Sequence, residues 1–64
     1  MTCQYLGKNG VMGLQRYDKY HVSITELIHG YELEVSGNEF STVLRYSSMI
    51  SLNQNWKRIG ENNA

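Results

Sequence analysis

A chain of 64 residues, about 7.4 kDa, allows one small domain, and the core of such a domain rarely supplies more than ~3–5 kcal/mol without a staple. Its one cysteine, Cys3, excludes an intramolecular disulfide, and no apolar run approaches the ~20 residues of a spanning helix. Six bases balance six acids, and a net charge of zero argues against the non-specific grip on nucleic acid or anionic membrane that a basic excess drives. These limits lead to the expectation of a cytoplasmic protein without cofactor or metal.

Residues 2–6, rich in Thr and Tyr, predict an opening strand. Residues 7–19 do not alternate; Gly7, Gly10 and Gly13 recur at intervals of three, with Val11, Met12 and Leu14 among them. A loop this long in a small domain usually packs its own side chains or carries function. Tyr20, Val22 and Ile24 then alternate with His21, Ser23 and Thr25, the period of a half-buried strand. At Glu26–Leu27–Ile28 the alternation slips, which predicts a bulge or bend. Beyond Gly30, Tyr31, Leu33 and Val35 make a second strand with Glu32 and Glu34 on its outer face.

Ser36–Gly37–Asn38 is turn chemistry, because Gly and Asn tolerate positive φ. Phe40, Thr42, Leu44 and Tyr46 form a third alternation, with Ser41 and Arg45 opposite. Ser47 or Ser48 can cap a helical turn whose apolar face is Met49, Leu52 and Trp56. Residues 56–59 predict a last short strand, and residues 60–64 a frayed tail. The order predicts an all-β fold: a small five-stranded SH3-like barrel over residues 1–59, with one short helical turn before the last strand. An OB-like barrel is the second reading, although that fold usually needs a longer chain.

Tyr5-Leu6-Gly7-Lys8 after the opening strand, a loop ending near Tyr20, Tyr46-Ser47-Ser48 and Asn55-Trp56 carry a resemblance. In these features the chain resembles small, uncharacterised SH3-like barrel proteins of Gram-positive bacteria and their phages. The resemblance implies a fold and a phage or prophage setting, not a chemistry. Peptide-binding SH3 domains differ. Tyr17-Asp18-Lys19-Tyr20 is similar to their aromatic-acid-aromatic run but stands at the end of the loop, Trp56 follows the helical turn, and proline is absent. Recognition of proline-rich ligands has no support.

Catalytic and metal constellations are weak throughout. His21 and His29 would stand ~26 Å apart along a straight strand, too far to share a metal ion or a proton. No serine sits in a nucleophile-elbow context, and the glycine loop lacks the spacing and the strand-to-helix setting of phosphate-binding motifs. No enzyme activity is expected.

Charge is segregated instead. Between Glu26 and Glu39 lie four acids and no base, while the flanks hold all six bases against two acids. Solvated strand edges account for such a pattern; so does a bipolar surface that steers a partner or a second copy. Tyr17 falls outside the strand alternation and is the best candidate for an exposed aromatic anchor. The sequence thus leads to the expectation of a non-enzymatic phage-type binding protein that occludes or inhibits a host protein, a defence protein among the candidates. The expected contact residues are Met12, Leu14, Arg16 and Tyr17 in the loop, with Arg45, Ser47 and Ser48 at a second corner. An alternative is capture of a small anionic ligand, such as a nucleotide, by Arg45 and the Ser47–Ser48 amides at an interface between copies. Nucleic-acid binding through the basic flanks ranks third, and would show as an affinity falling steeply with salt.

Overall fold

The structure, a computed structural model, describes residues 1–59; the tail expected to fray, residues 60–64, lies outside the described residues. Five strands, β1 (Thr2–Tyr5), β2 (Lys19–Leu27), β3 (Gly30–Gly37), β4 (Phe40–Tyr46) and β5 (Trp56–Arg58), form one sheet in the order β4-β3-β2-β1-β5. Every neighbouring pair is antiparallel. One helix, α1 (Met49–Asn55), precedes the last strand. It is a seven-residue helix where the sequence predicted a single turn.

Alternation decides which face each strand buries. Cys3 and Tyr5 of β1, Tyr20 and Val22 of β2, Leu33 and Val35 of β3 and Trp56 of β5 all point into one core. Leu52 of α1 and Leu14 of the long loop complete it. Phe40, Leu44 and Tyr46 of β4 pack half-buried against its rim, as do Ile24, Tyr31 and Met49. Among the described residues no charged or polar residue is buried, so burial stabilises without the desolvation cost of an unpaired charge. Helix α1 starts where Ser48 Oγ accepts the Ser51 N–H at 3.1 Å, and its Met49 and Leu52 turn inward.

Two local expectations are corrected. Of the bulge or bend predicted at Glu26–Ile28, the bulge is absent: β2 pairs regularly with β3 from His21↔Ser36 to Leu27↔Gly30. A two-residue turn, Ile28–His29, closes that pairing and fixes the register, so Leu27 keeps the outer face and Ile28 is left 93 % exposed. A bulge lies elsewhere, where β1 meets the end of the long loop. There the Tyr5 N–H donates to the Asp18 carbonyl at 2.9 Å and the Tyr17 N–H donates to the Tyr5 carbonyl at 2.7 Å, so two residues oppose one. The β3–β4 turn also differs in detail. Its positive φ, 68°, falls on Glu39 rather than on Gly37 or Asn38.

The aromatic core makes stability depend on alkaline pH. Burial, and next to it Tyr20, holds the Tyr5 phenol above its ordinary pKa of 10.0. Burial also raises the Tyr46 phenol, against the lowering effect of its hydrogen bond from Trp56. Phenols that ionise later in the folded chain give a contribution fully present below the unfolded pKa and lost as pH rises through the folded one. Urea midpoints should therefore hold level toward pH ~10 on account of these groups and fall above it. A midpoint that stays level well above that pH would contradict buried, neutral phenols.

Candidate functional site

The long loop between β1 and β2 holds itself together. Gly7 is buried; a Cβ there would crowd the Tyr5 ring and stand 2.6 Å from Asn55 Oδ1, so a larger residue would have to displace those side chains. The Leu6 N–H donates to the Asn55 carbonyl at 2.7 Å, and the Tyr5 hydroxyl donates to the Lys8 carbonyl at 2.8 Å. Farther along, the Gly10 N–H reaches the Leu14 carbonyl at 2.7 Å and the Leu14 N–H reaches the Val11 carbonyl at 2.8 Å, closing a short 3-10 turn. Asn9 Oδ1 accepts the Arg16 N–H at 2.8 Å, and the Tyr20 hydroxyl accepts the Gln15 N–H at 2.8 Å.

This wiring places the loop's predicted contact residues on different sides. Leu14, expected on the contact surface, is fully buried and belongs to the core. The turn at Val11–Gly13 sends the next side chain inward, where it pins the loop to the sheet. Met12 is 56 % exposed and Tyr17 60 % exposed, and Arg16 and Val11 are exposed beside them. The Arg16 guanidinium lies over the Tyr17 ring, 5.2 Å from its centroid.

Met12 and Tyr17 both adopt positive φ, 52° and 74°. For Tyr17 the reason is legible in the hydrogen bonds. The Asp18 N–H returns to the Gln15 carbonyl at 3.1 Å while the Tyr17 N–H bonds to Tyr5 across the bulge, so Tyr17 is the third residue of a type II turn and the first of the bulge, a place where φ is positive and glycine is usual. Gln4 Nε2 fastens the same peptide by donating to the Tyr17 carbonyl at 2.9 Å. An L side chain in this region costs on the order of 1 kcal/mol.

The second predicted corner stands apart. Arg45 pairs with Glu32, directly across the β3–β4 ladder, at 3.3 Å. The Arg45 side chain is 73 % exposed, which makes the pair worth no more than ~1 kcal/mol. Ser47 is exposed, and the Ser48 hydroxyl is occupied in capping α1. Among the described residues no hydrogen bond, ion pair or ring contact joins this corner to the loop. Arg45 is thus paired within the chain, and the Ser48 hydroxyl, as distinct from the Ser47–Ser48 amides of the anion-site expectation, is taken up by the cap.

A shallow groove of about 600 Å³ runs between Gln15 and Asp18 of the loop and Gly37 and Asn38 of the β3–β4 turn. It meets a second, of about 660 Å³ on the outer face of β2–β4, at His21 and Ser36. Charge on that face alternates across the sheet, with Arg45 of β4 standing beyond the acidic strand β3. Lys57 and Lys19 flank Gln4 on one side, while Glu34 and Glu32 occupy β3. Among the described residues no three His, Cys, Asp or Glu side chains group to hold a metal ion, and Cys3 is buried. No helix of the described residues is long and apolar enough to cross a membrane.

Sequence reasoning passed over Val43, 44 % exposed, and Ile50, 73 % exposed. Val43 breaks the polar pattern on the outer face of β4, and that was its signal. No protein-family model matches the chain, and neither a curated protein nor a solved structure matches it.

Proposed function

We propose that the chain is a small SH3-like barrel that works as a non-enzymatic binding module and occludes or inhibits a protein partner. The connectivity supports the fold reading: a long loop after the first strand, three strands on tight turns, then a helix before a short fifth strand that returns to the first. The phage setting and a host target rest on the family resemblance.

One observation carries the functional reading: Tyr17, a large aromatic side chain held exposed at a backbone position that favours glycine. Its ring is no part of the core, so folding gains little from it. Strain of this kind in an exposed loop points to a binding role, and tyrosine is a common anchor of protein interfaces. Arg16, Met12 and Val11 would complete the contact surface.

Tyr17→Gly separates folding from binding. Relief of the positive φ should leave stability unchanged or raise it by up to ~1 kcal/mol, measured by urea unfolding. Loss of an interface anchor should weaken capture of the partner by roughly tenfold or more. The readout is quantitative affinity purification from host lysate with wild type, Tyr17→Gly and the exposed helix variant Ile50→Ser. A host protein lost with Tyr17→Gly and kept with Ile50→Ser supports the reading. Equal recovery with all three baits would remove the loop from the contact surface.

A further inference from the structure

Strand β4 leaves one long edge of the sheet open among the described residues. It is outermost in the strand order, with β3 as its strand neighbour. Antiparallel pairing engages every second residue of such a strand and turns the others outward. The Tyr46 carbonyl identifies the two sets, because it lies against Gly30, on the β3 side. Phe40, Thr42, Leu44 and Tyr46 therefore bond to β3, in keeping with the two-residue turn closed by Gly37↔Phe40. Ser41, Val43 and Arg45 turn their N–H and C=O groups to the open side, and no described residue bonds to them.

Proteins usually blunt such an edge with proline, lysine, a bulge or a covering loop. Strand β4 reads FSTVLRY, with neither proline nor lysine, and it pairs with β3 in unbroken register over its whole length. Its one charge, Arg45, is balanced by Glu32. The edge is built like an interior strand.

We propose that β4 pairs with β4 of a second copy, antiparallel about a two-fold axis at Val43, so that two sheets become one. In this register Val43 faces Val43 of the second copy, and Ser41 faces Arg45. Every outward amide and carbonyl of the strand finds a partner. A shift by two residues in either direction carries a pair beyond the strand ends, and a shift by one puts the inner face of one copy against the outer face of the other.

The side chains agree with the register. On the outer face Val43 covers its own symmetry mate, which accounts for an exposed valine among Ser41 and Arg45. On the inner face Leu44 comes beside Thr42 of the second copy, and Phe40 beside Tyr46, closing the half-buried rim of each core. Glu39 of one copy stands one diagonal step from Arg45 of the other, within reach of long side chains. That contact gives a role to a glutamate held at φ 68° in the turn. Symmetry makes two such pairs and opposes no like charges. The bonds that organise the Tyr17 loop run to β1, β2 and α1, so pairing through β4 breaks none of them.

The test uses the wild-type chain alone. Sedimentation velocity from ~1 to ~500 µM should show mass moving from 7.4 kDa toward twice that value as concentration rises. Hydrogen exchange by NMR over the same range should show protection growing at the Ser41, Val43 and Arg45 amides, while Thr42 and Leu44 stay protected throughout. Val43→Lys sets two ammonium groups against each other at the axis and should weaken association at least tenfold, with the urea midpoint of the dilute protein unchanged. A monomer at every concentration overturns the proposal, as does a dimer whose newly protected amides lie at Ile28, Ile50 or the Tyr17 loop. So does an edge that gains protection only when another protein is added. The exchange readout needs no variant, so a failure of Val43→Lys to fold leaves the proposal exposed to refutation.

Discussion

Replacing Trp56 with alanine should abolish cooperative folding. Trp56 is 3 % exposed although it opens a strand of only three residues. Its ring lies 5.0 Å from that of Tyr5 and 6.1 Å from that of Tyr20, and Tyr20 in turn meets Phe40 edge-on at 5.8 Å. Its indole N–H donates to the Tyr46 hydroxyl at 3.0 Å. One side chain thus connects the first, second, fourth and fifth strands. Truncating a buried tryptophan costs ~3–5 kcal/mol, about the whole margin that a core of this size supplies. Circular dichroism and urea titration should show no native baseline for Trp56→Ala. Trp56→Phe keeps an aromatic ring but removes the donor to Tyr46, and should stay folded with a loss of about 1–2 kcal/mol. A cooperative transition in Trp56→Ala close to that of wild type would show that the aromatic cluster does not carry the fold.

The readable parts of this chain are those where burial imposes a period. Phe40 to Tyr46 was legible to its end residues, because each inward side chain is apolar or Thr and each outward one except Val43 is polar. Period fails in loops and turns, where hydrogen bonds choose the direction of a side chain. Leu14 points inward because of bonds at Gly10 and Val11, and nothing in the order of residues states that. Ile28 looked like a strand residue out of phase, yet a two-residue turn leaves it in solvent.

The candidate site was legible in part for the same reason. Tyr17 could be singled out as an aromatic residue off the strand pattern. Its strain could not, since that depends on the bond from its N–H to Tyr5, a residue twelve positions earlier. The pairing of Arg45 with Glu32 likewise follows from register, which is a property of two strands together. Positive φ at Met12, Tyr17 and Glu39 falls on three exposed residues, none of which packs in the core. The chain accepts backbone strain where a side chain faces outward.

Gly30→Ala is the second large effect, and its size separates strain from lack of space. Gly30 has φ 133°, and a Cβ added there would collide with the Tyr46 carbonyl and stand 3.3 Å from Ser47 Cα. At this point the β2–β3 hairpin passes under the corner where β4 ends and α1 begins. Gly13, with φ 83°, offers the comparison, because a Cβ there meets nothing within 4 Å. Gly13→Ala should cost about 1 kcal/mol, the backbone effect alone. Gly30→Ala adds a backbone collision, for which overpacking of ~1–3 kcal/mol is the usual scale, and together these approach the stability of the domain. Relief would have to come from moving Tyr46 and Ser47 away. That displaces the Ser48 cap and should speed hydrogen exchange at the Ser51 amide, which the Ser48 hydroxyl holds. Equal urea midpoints for the two variants would mean that the corner yields without cost. A lower midpoint for Gly30→Ala with faster exchange at Ser51 would show that this one close approach ties the hairpin, the edge strand and the helix into a single cooperative unit.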